Sequence, residues 1–181
     1  EGFIYRVRGK GSFVAPPRLE EQMNRLVSFS DDMIQRGFTP RTEVIYTGTA
    51  AASDRTARQL QMQVGEEMYF IRRLRLADEE PVSVEESCLA GSHCPGILDH
   101  DFSKESLRQV LEKEYNIVWM RAQQTIRAAP ASEQIAPLLR IREGTPHLFI
   151  ERVSYSQTNR PLEFLMIHYH PRYVLHNELH G

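Results

Sequence analysis

Residues 68–89 of the chain read MYFIRRLRLADEEPVSVEESCL. Two runs rich in β-branched, aromatic and leucine residues, 68–77 and 82–89, flank the polar stretch Asp78-Glu79-Glu80-Pro81. Such runs on either side of a short turn predict a β-hairpin. In the first run, the two-residue period of a strand places Arg73 and Arg75 on one face, while Arg72 and Leu74 lie on the other.

Strand and helix patterns alternate on both sides of this hairpin. Ser28 or Ser30 is placed to cap a first helix that ends near Arg36, and the apolar spacing in 104–115 predicts an amphipathic helix with Leu107 on its buried stripe. Many hairpins with intervening helices indicate an α+β fold, in which one antiparallel sheet has helices packed on it. The remaining predictions are helices at 53–61 and 132–140 and strands at 42–49, 117–128, 147–156, 162–170 and 174–179.

The N-terminal residues have a different sequence pattern from the rest of the chain. Residues 3–8 and 12–14 are strand-like and flank Gly9-Lys10-Gly11, and Pro16-Pro17 then ends the pattern. We therefore predict a small hairpin in residues 1–15, a linker in 16–25 and the main domain in 26–181.

Composition and charge exclude several classes of protein. The 181 residues are 41% hydrophobic and carry a net charge of -2, typical of one globular domain. The basic residues are spread out, so this chain by itself is expected to bind DNA poorly. Without a signal peptide or a membrane-length apolar run we expect a cytoplasmic protein, and the start at Glu1 suggests a truncated chain. Cys88 and Cys94 are expected to be free thiols.

Catalytic and metal-binding signals are weak. The chain lacks the common hydrolase, zinc-protease and dinucleotide motifs, and Gly9-Lys10-Gly11-Ser12 lacks the first glycine of a phosphate loop. His168 and His170 share a predicted strand face, but a zinc site needs a third ligand at the right place. We predict neither a metal nor a cofactor.

An anion site is the strongest chemical signal from the residues themselves. Two guanidiniums on one face repel each other unless an anion lies between them, and arginine holds phosphate or carboxylate in a bidentate fork. A three-residue turn would place Glu85 opposite Arg73, whereas a two-residue turn would place it on the other face. The alternative is a solvated sheet face with a weak surface ion pair.

Two further segments offer polar groups. The helix start at 28–31 presents backbone N–H groups, which either bind an anion or are simply capped. On the last hairpin, Glu163 and Tyr169 share a face and suit hydroxyl recognition if that face borders a cavity; otherwise they are half-buried sheet residues.

The order of the motifs resembles a known family. Residues 6–14 resemble the end of the wing in the winged helix-turn-helix of GntR-type regulators. The motifs that follow resemble the effector-binding domain of the HutC subfamily, the UTRA domain: they are 26–33, Arg36-Gly37, Pro40, 73–78, Pro81, Glu85 and 160–163. The resemblance covers nearly the whole chain.

This resemblance implies a chorismate-lyase-like fold, a homodimer and a pocket for a small anionic effector that changes operator binding. In sugar-phosphate-sensing relatives the phosphate is held by positions that match Phe29, Ser30, Asp31, Arg73 and Ser106, and Arg108 stands here where those relatives have a tyrosine. Positions that match Arg75, Glu85, Glu163 and Tyr169 contact the rest of the effector.

We therefore expect a non-enzymatic sensor domain of a bacterial repressor, with a sugar phosphate or amino-sugar phosphate as its effector. In the intact protein, Arg8 and Lys10 would contact DNA. The alternatives are a carboxylate effector, an enzyme that uses Glu85 or Glu163 as acid or base, and a dimerisation domain without a ligand.

Overall fold

The computed structural model describes residues 4–7, 11–14, 19–22 and 28–176. Clustering of contacts separates two units, Glu1–Arg25 with Pro171–Gly181, and Leu26–His170. The predicted DNA contacts Arg8 and Lys10 lie outside the described residues, as do positions 177–179 at the end of the predicted last strand.

The first unit contains two pairs of short strands. β1 (Ile4–Val7) and β2 (Gly11–Val14) pair antiparallel, as predicted for the N-terminal hairpin. β3 (Leu19–Gln22) pairs in parallel with β10 (Tyr173–His176). The segment predicted as a linker therefore includes a strand.

The second unit is built on a six-stranded antiparallel sheet with the order β4-β5-β6-β9-β8-β7. This confirms the predicted α+β class. Its elements are α1 (Phe29–Gln35), β4 (Pro40–Ala51), α2 (Asp54–Leu60), β5 (Glu67–Ala77), β6 (Glu80–Ala90), α3 (Leu107–Glu114), β7 (Trp119–Pro130), β8 (Pro146–Ser156) and β9 (Pro161–Tyr169), with 3₁₀ turns at Gly91–His93 and Ile97–Asp99.

Each of the three helices begins after a serine cap, and for α1 that cap is Ser28, one of the two predicted candidates. The hydroxyl oxygen of Ser28 accepts from the backbone N–H of Asp31 (3.2 Å), and Ser53 caps α2 in the same way. Ser106 caps α3, so this helix begins three residues later than the predicted position 104. Side-chain caps of this kind satisfy N–H groups that have no partner inside the helix.

The predicted helix at 132–140 is wrong. The segment folds as successive turns whose backbone bonds vary in span, from Ile135 N–H to the Ser132 carbonyl to Ile141 N–H to the Ala136 carbonyl. Pro137 lacks an N–H and its ring clashes with the carbonyl four residues earlier, which prevents a regular helix. Ile135 and Leu139 are nevertheless buried and pack against β5 and β6.

The two faces of the sheet bury different clusters. On one face, here called the arginine face, α3 packs its buried Leu107 and Leu111 against Ile71 and Leu89. On the other, here called the α2 face, α2 and the 132–140 turns cover two separate clusters. Arg73, Arg75, Glu85 and Glu163 belong to the arginine face, because they alternate along their strands with residues of the α2 face.

Candidate functional site

A β-bulge sets the register that brings Arg73 and Glu85 together. The hairpin turn holds two residues, Asp78 and Glu79, both with positive φ (48° and 65°), as a type I′ turn requires. From the sequence, a turn of two residues is expected to place Glu85 on the opposite face of the sheet from Arg73. However, β5 and β6 shift register by one residue between Leu76–Pro81 and Arg75–Ser83, so Arg73 faces Glu85 after all.

The two arginines and Glu85 form a buried ion-pair network. The Nη2 atoms of Arg73 and Arg75 lie 3.1 Å and 2.8 Å from the same carboxylate oxygen of Glu85. Arg75 also donates to the Thr42 hydroxyl (2.7 Å), and Arg73 donates to the Ser87 hydroxyl (3.0 Å). Arg73 is 3% exposed and Arg75 8%, which excludes the solvated sheet face considered from sequence.

The network leaves one strong donor unused. The Nε of Arg73 is buried and has no hydrogen-bond partner among the described residues. Burial and the adjacent Arg75 lower the pKa of Arg73 to about 10, which leaves it charged at neutral pH. Although burial alone would raise the pKa of Glu85, Arg75 and Arg73 outweigh it and lower this pKa. The site therefore holds two buried cations against one fully ionised carboxylate.

A second buried carboxyl lies next to this network. Glu163 is 5% exposed, and its carboxyl accepts from the Ser87 hydroxyl, which also contacts Arg73. Burial raises the pKa of Glu163, with Arg73 acting in the opposite direction. Tyr169, predicted from the same strand face, is buried on β9 opposite Ser83.

The start of α1 reaches the arginine face. The Arg75 guanidinium lies over the Phe29 ring, 5.2 Å from its centroid, as a cation–π contact. Ser30 is half-buried in the same helix turn, and the Asp31 carboxylate accepts from the Ser28 hydroxyl (2.6 Å). Phe29 thus brings the helix start at 28–31 into contact with Arg75, one of the two predicted arginines.

The start of α3 has other contacts. Ser106 is used as the cap of α3, where its hydroxyl accepts from the Gln109 N–H (3.4 Å). Arg108 pairs with Glu112 (2.8 Å) and lies over the Trp119 ring at 5.5 Å. The cap, the ion pair and the ring contact lie within α3 and between α3 and β7.

Sequence reasoning missed four polar residues on the arginine face: Thr42, Ser87, Gln124 and Arg152. Ser87 and Thr42 are partners of the two arginines. Arg152 lies across the sheet on β8, opposite Gln124 of β7, and donates its Nε–H to that side chain (3.1 Å). The two-residue period of β6 could have indicated Ser87, because it places Ser87 on the same strand face as Glu85. Arg152 gives no such signal, because only the order of the strands in the sheet brings it near Glu163.

Comparisons with known proteins decide the family. The sequence model of the UTRA domain matches residues 35–174. The chain belongs to the UTRA family. It is 31% identical over 167 residues to the HTH-type transcriptional repressor NagR of Bacillus subtilis, covering 90% of this chain and 67% of NagR.

Two further comparisons agree. The histidine utilization repressor of Pseudomonas aeruginosa is 24% identical, over 86% of this chain and 62% of that protein. The crystal structure of PhnF from Mycobacterium smegmatis has the same fold, with a TM-score of 0.86 at 23% identity, over 98% of this chain and 78% of that one. The predicted membership of the GntR-type regulators is confirmed, and these relatives are named as regulators and not as enzymes.

This UTRA domain spans about two thirds of the length of the curated relatives it matches. None of the helices in the described ranges is long and apolar enough to cross a membrane. Within those ranges no group of His, Cys, Asp and Glu residues is arranged to hold a metal ion.

The histidines of the UTRA domain make a pair that the sequence did not predict. The His147 Nε2 and His168 Nδ1 atoms are 2.9 Å apart, so one ring donates to the other. Burial, and then His147, lowers the pKa of His168 to about 4. Cys88 and Cys94 are free and buried, and burial raises both thiol pKa values to about 12, which makes them poor nucleophiles at neutral pH.

Proposed function

We propose that this chain is the effector-binding part of a DNA-binding transcriptional repressor, and that its effector is a small anion bound on the arginine face. The observation that carries the proposal is the buried Arg73. Its Nε has no partner among the described residues, while its Nη2 and that of Arg75 share a single carboxylate oxygen of Glu85. A buried donor without a partner costs about 1–3 kcal/mol, more for a charged group, which a bound acceptor would offset.

Charge supports an anion over a neutral or cationic ligand. Arg73 and Arg75 stand against the ionised Glu85, which leaves an excess positive charge in a buried place. A phosphate or carboxylate oxygen would accept from the unused Nε–H and reduce this excess. Phosphate and carboxylate both match the planar guanidinium fork.

Among small anionic effectors, the groups around the two arginines favour a phosphorylated sugar. Glu163 accepts hydrogen bonds from donors, and the hydroxyls or the amine of a sugar are donors. A sugar phosphate or amino-sugar phosphate presents an anionic and a donor-bearing end. Phe29, Ser30 and Asp31 at the start of α1 would lie at the anionic end, with Glu85, Glu163 and Tyr169 towards the sugar. Ser106 and Arg108, at the start of the helix that packs on the same face, would complete the anionic end.

Regulation would follow from linkage. An effector that binds one arrangement of a homodimer better than another shifts the population away from the form that binds the operator. DNA would be contacted by a winged helix-turn-helix domain N-terminal to this chain, with Arg8 and Lys10 at its wing, and the protein would act in the cytoplasm. A 100-fold difference in affinity between the two arrangements corresponds to about 2.7 kcal/mol of coupling.

A thermal-shift screen tests the effector class. Hexose and hexosamine phosphates should raise the melting temperature of the chain, and Arg73→Ala should abolish the shift. Because Arg73→Ala leaves Glu85 with one partner fewer, its folding is checked by circular dichroism. Arg73→Lys, which keeps the charge but loses the fork, should weaken the shift strongly.

Arg127→Ala is the matched control for this screen. Arg127 is 54% exposed on the α2 face and should leave the ligand shift unchanged. If the wild-type chain shows no shift with any phosphorylated sugar and responds to a carboxylate, the proposed effector class is wrong although the family stands.

A further inference from the structure

Arg152 is the third guanidinium of the arginine face, and its terminal nitrogens are uncommitted. Its Nε–H donates to Gln124 (3.1 Å), which fixes the plane of the guanidinium. The two terminal amino groups have neither a hydrogen-bond nor an ion-pair partner among the described residues. A half-buried guanidinium with one fixed nitrogen and two open ones is a donor fork prepared for an acceptor.

The position of Arg152 places this fork near Glu163 without pairing the two. Arg152 is opposite Leu165 in the sheet and Glu163 is opposite Ser154, so the two charged residues are diagonal neighbours on the same face. Arg152 acts electrostatically on both Glu163 and Glu85, yet no ion pair within 4.0 Å joins it to either carboxylate in the described chain. Glu163 and Arg152 are therefore neighbours on one face without an ion pair between them.

Charge balance indicates what kind of group this is. Three guanidiniums, Arg73, Arg75 and Arg152, share the face with two carboxyls, Glu85 and Glu163. A phosphate monoester brings a charge of about -1.5 to -2. With both carboxyls ionised the excess is about one positive charge, which the phosphate more than neutralises, so a second acidic group on the ligand would add uncompensated negative charge in a largely buried site, which is costly.

We propose that Arg152 is a specificity-determining residue of the effector site, which donates to an uncharged oxygen, a hydroxyl or carbonyl, at the end of the effector remote from its phosphate. Glu163 accepts a hydrogen bond from the same end. This inference rests on the proposed function. It narrows the effector to phosphate monoesters with a neutral, oxygen-rich body, as opposed to bare phosphate or phosphorylated acids.

Titration calorimetry on the 181-residue chain tests the inference. The probes are inorganic phosphate, a panel of hexose and hexosamine 6-phosphates, and 6-phosphogluconate as the ligand with a second acid. The variants are Arg152→Gln, Arg152→Lys and the exposed Arg127→Gln as control. We expect Arg152→Lys, which retains the charge, to weaken the tightest sugar phosphate about tenfold while phosphate changes less than about twofold.

Arg152→Gln should weaken the sugar phosphate at least as much, and Arg127→Gln should change neither ligand. In the wild type, 6-phosphogluconate should bind more weakly than the best neutral sugar phosphate. Equal weakening of phosphate and sugar phosphate in Arg152→Lys, or no weakening, overturns the inference and leaves the proposed function intact. If 6-phosphogluconate binds more tightly than every neutral sugar phosphate, the proposal that Arg152 donates to an uncharged oxygen is wrong. If the wild type binds none of the probes, the proposed function falls and this inference with it.

Discussion

Two Arg–Glu pairs on the same two strands, one residue apart, have very different surroundings. Arg72 pairs with Glu86 on the α2 face at 2.6 Å, and Arg73 pairs with Glu85 on the arginine face at 3.1 Å. The Arg72 side chain is 25% exposed and that of Arg73 is 3% exposed, whereas the carboxylate partners are alike, at 12% for Glu86 and 11% for Glu85. Similar chemistry on adjacent residues thus gives a partly solvated pair and a buried network, because alternate residues of a strand face opposite sides of the sheet.

The two pairs are expected to contribute differently to the stability of the fold. A pair open to water is screened and contributes about 0–1 kcal/mol to stability. A buried charge that loses its partner costs far more, because water cannot replace that partner. On the arginine face, two buried guanidiniums therefore depend on one carboxylate, whereas the Arg72 guanidinium is partly open to water.

The largest expected effect comes from removing the shared carboxylate. Glu85→Gln should lower the free energy of unfolding by about 3–5 kcal/mol, because it leaves Arg73 and Arg75 buried without the carboxylate that both contact. Glu86→Gln on the α2 face should lower it by about 1 kcal/mol or less. Urea denaturation measures both. Equal losses for the two variants would show that the faces do not differ as described.

The next largest effect should be a loss of stability in acid, which comes from His168 on the α2 face. Since burial lowers the pKa of His168 to about 4, the unfolded chain, with its ordinary value near 6.5, binds more protons between these values. Stability should therefore be complete above pH 6.5 and decrease as the pH falls towards 4, by roughly 1–2 kcal/mol between pH 7.5 and 5.

Denaturant unfolding at several pH values measures this slope. His168→Gln should flatten the slope, and His147 adds to it in the same direction, because burial lowers its pKa as well. The lowered pKa of Glu85 predicts a loss at lower pH, as the pH falls through the range below its ordinary value of 4.5. A slope above pH 5 that survives His168→Gln unchanged would contradict the assignment to the histidine pair.

The smallest effect compares the two helix caps. Ser28→Ala and Ser53→Ala each remove a side-chain acceptor from a helix N-terminus and should each cost about 1 kcal/mol. Only Ser28→Ala should also weaken the ligand-induced thermal shift, because α1 places Phe29 against Arg75 and α2 packs on the other face. A shift that both variants reduce equally would argue against a site on the arginine face.

Much of the fold could be predicted because its signals are local. The hairpin at 68–89, the helix caps Ser28 and Ser53, and the buried stripe of α3 depend on residues close in sequence. The helix predicted at 132–140 does not form, also for a local reason, because Pro137 interrupts it. Helical apolar spacing is insufficient where a proline interrupts the hydrogen bonds.

The candidate site was predictable only in part. The alternation of 68–77 places Arg73 and Arg75 on one face, but whether that face is buried depends on α1 and α3, which are distant in sequence. The relation of Arg73 to Glu85 depends on the bulge after Pro81, which offset the two-residue turn. Arg152 was missed because β8 reaches the site only through the order β6-β9-β8.

The amino-acid sequence by itself determined the α+β class, the hairpin that carries both arginines and the resemblance to UTRA domains. These follow from periodicity, capping residues and motif order, which are properties of neighbouring residues. Only the tertiary structure decided that Arg73 is buried, that Glu85 is its partner and that Arg152 lies beside Glu163. Burial and long-range register are set by which strands lie side by side, and no short stretch of sequence contains that information.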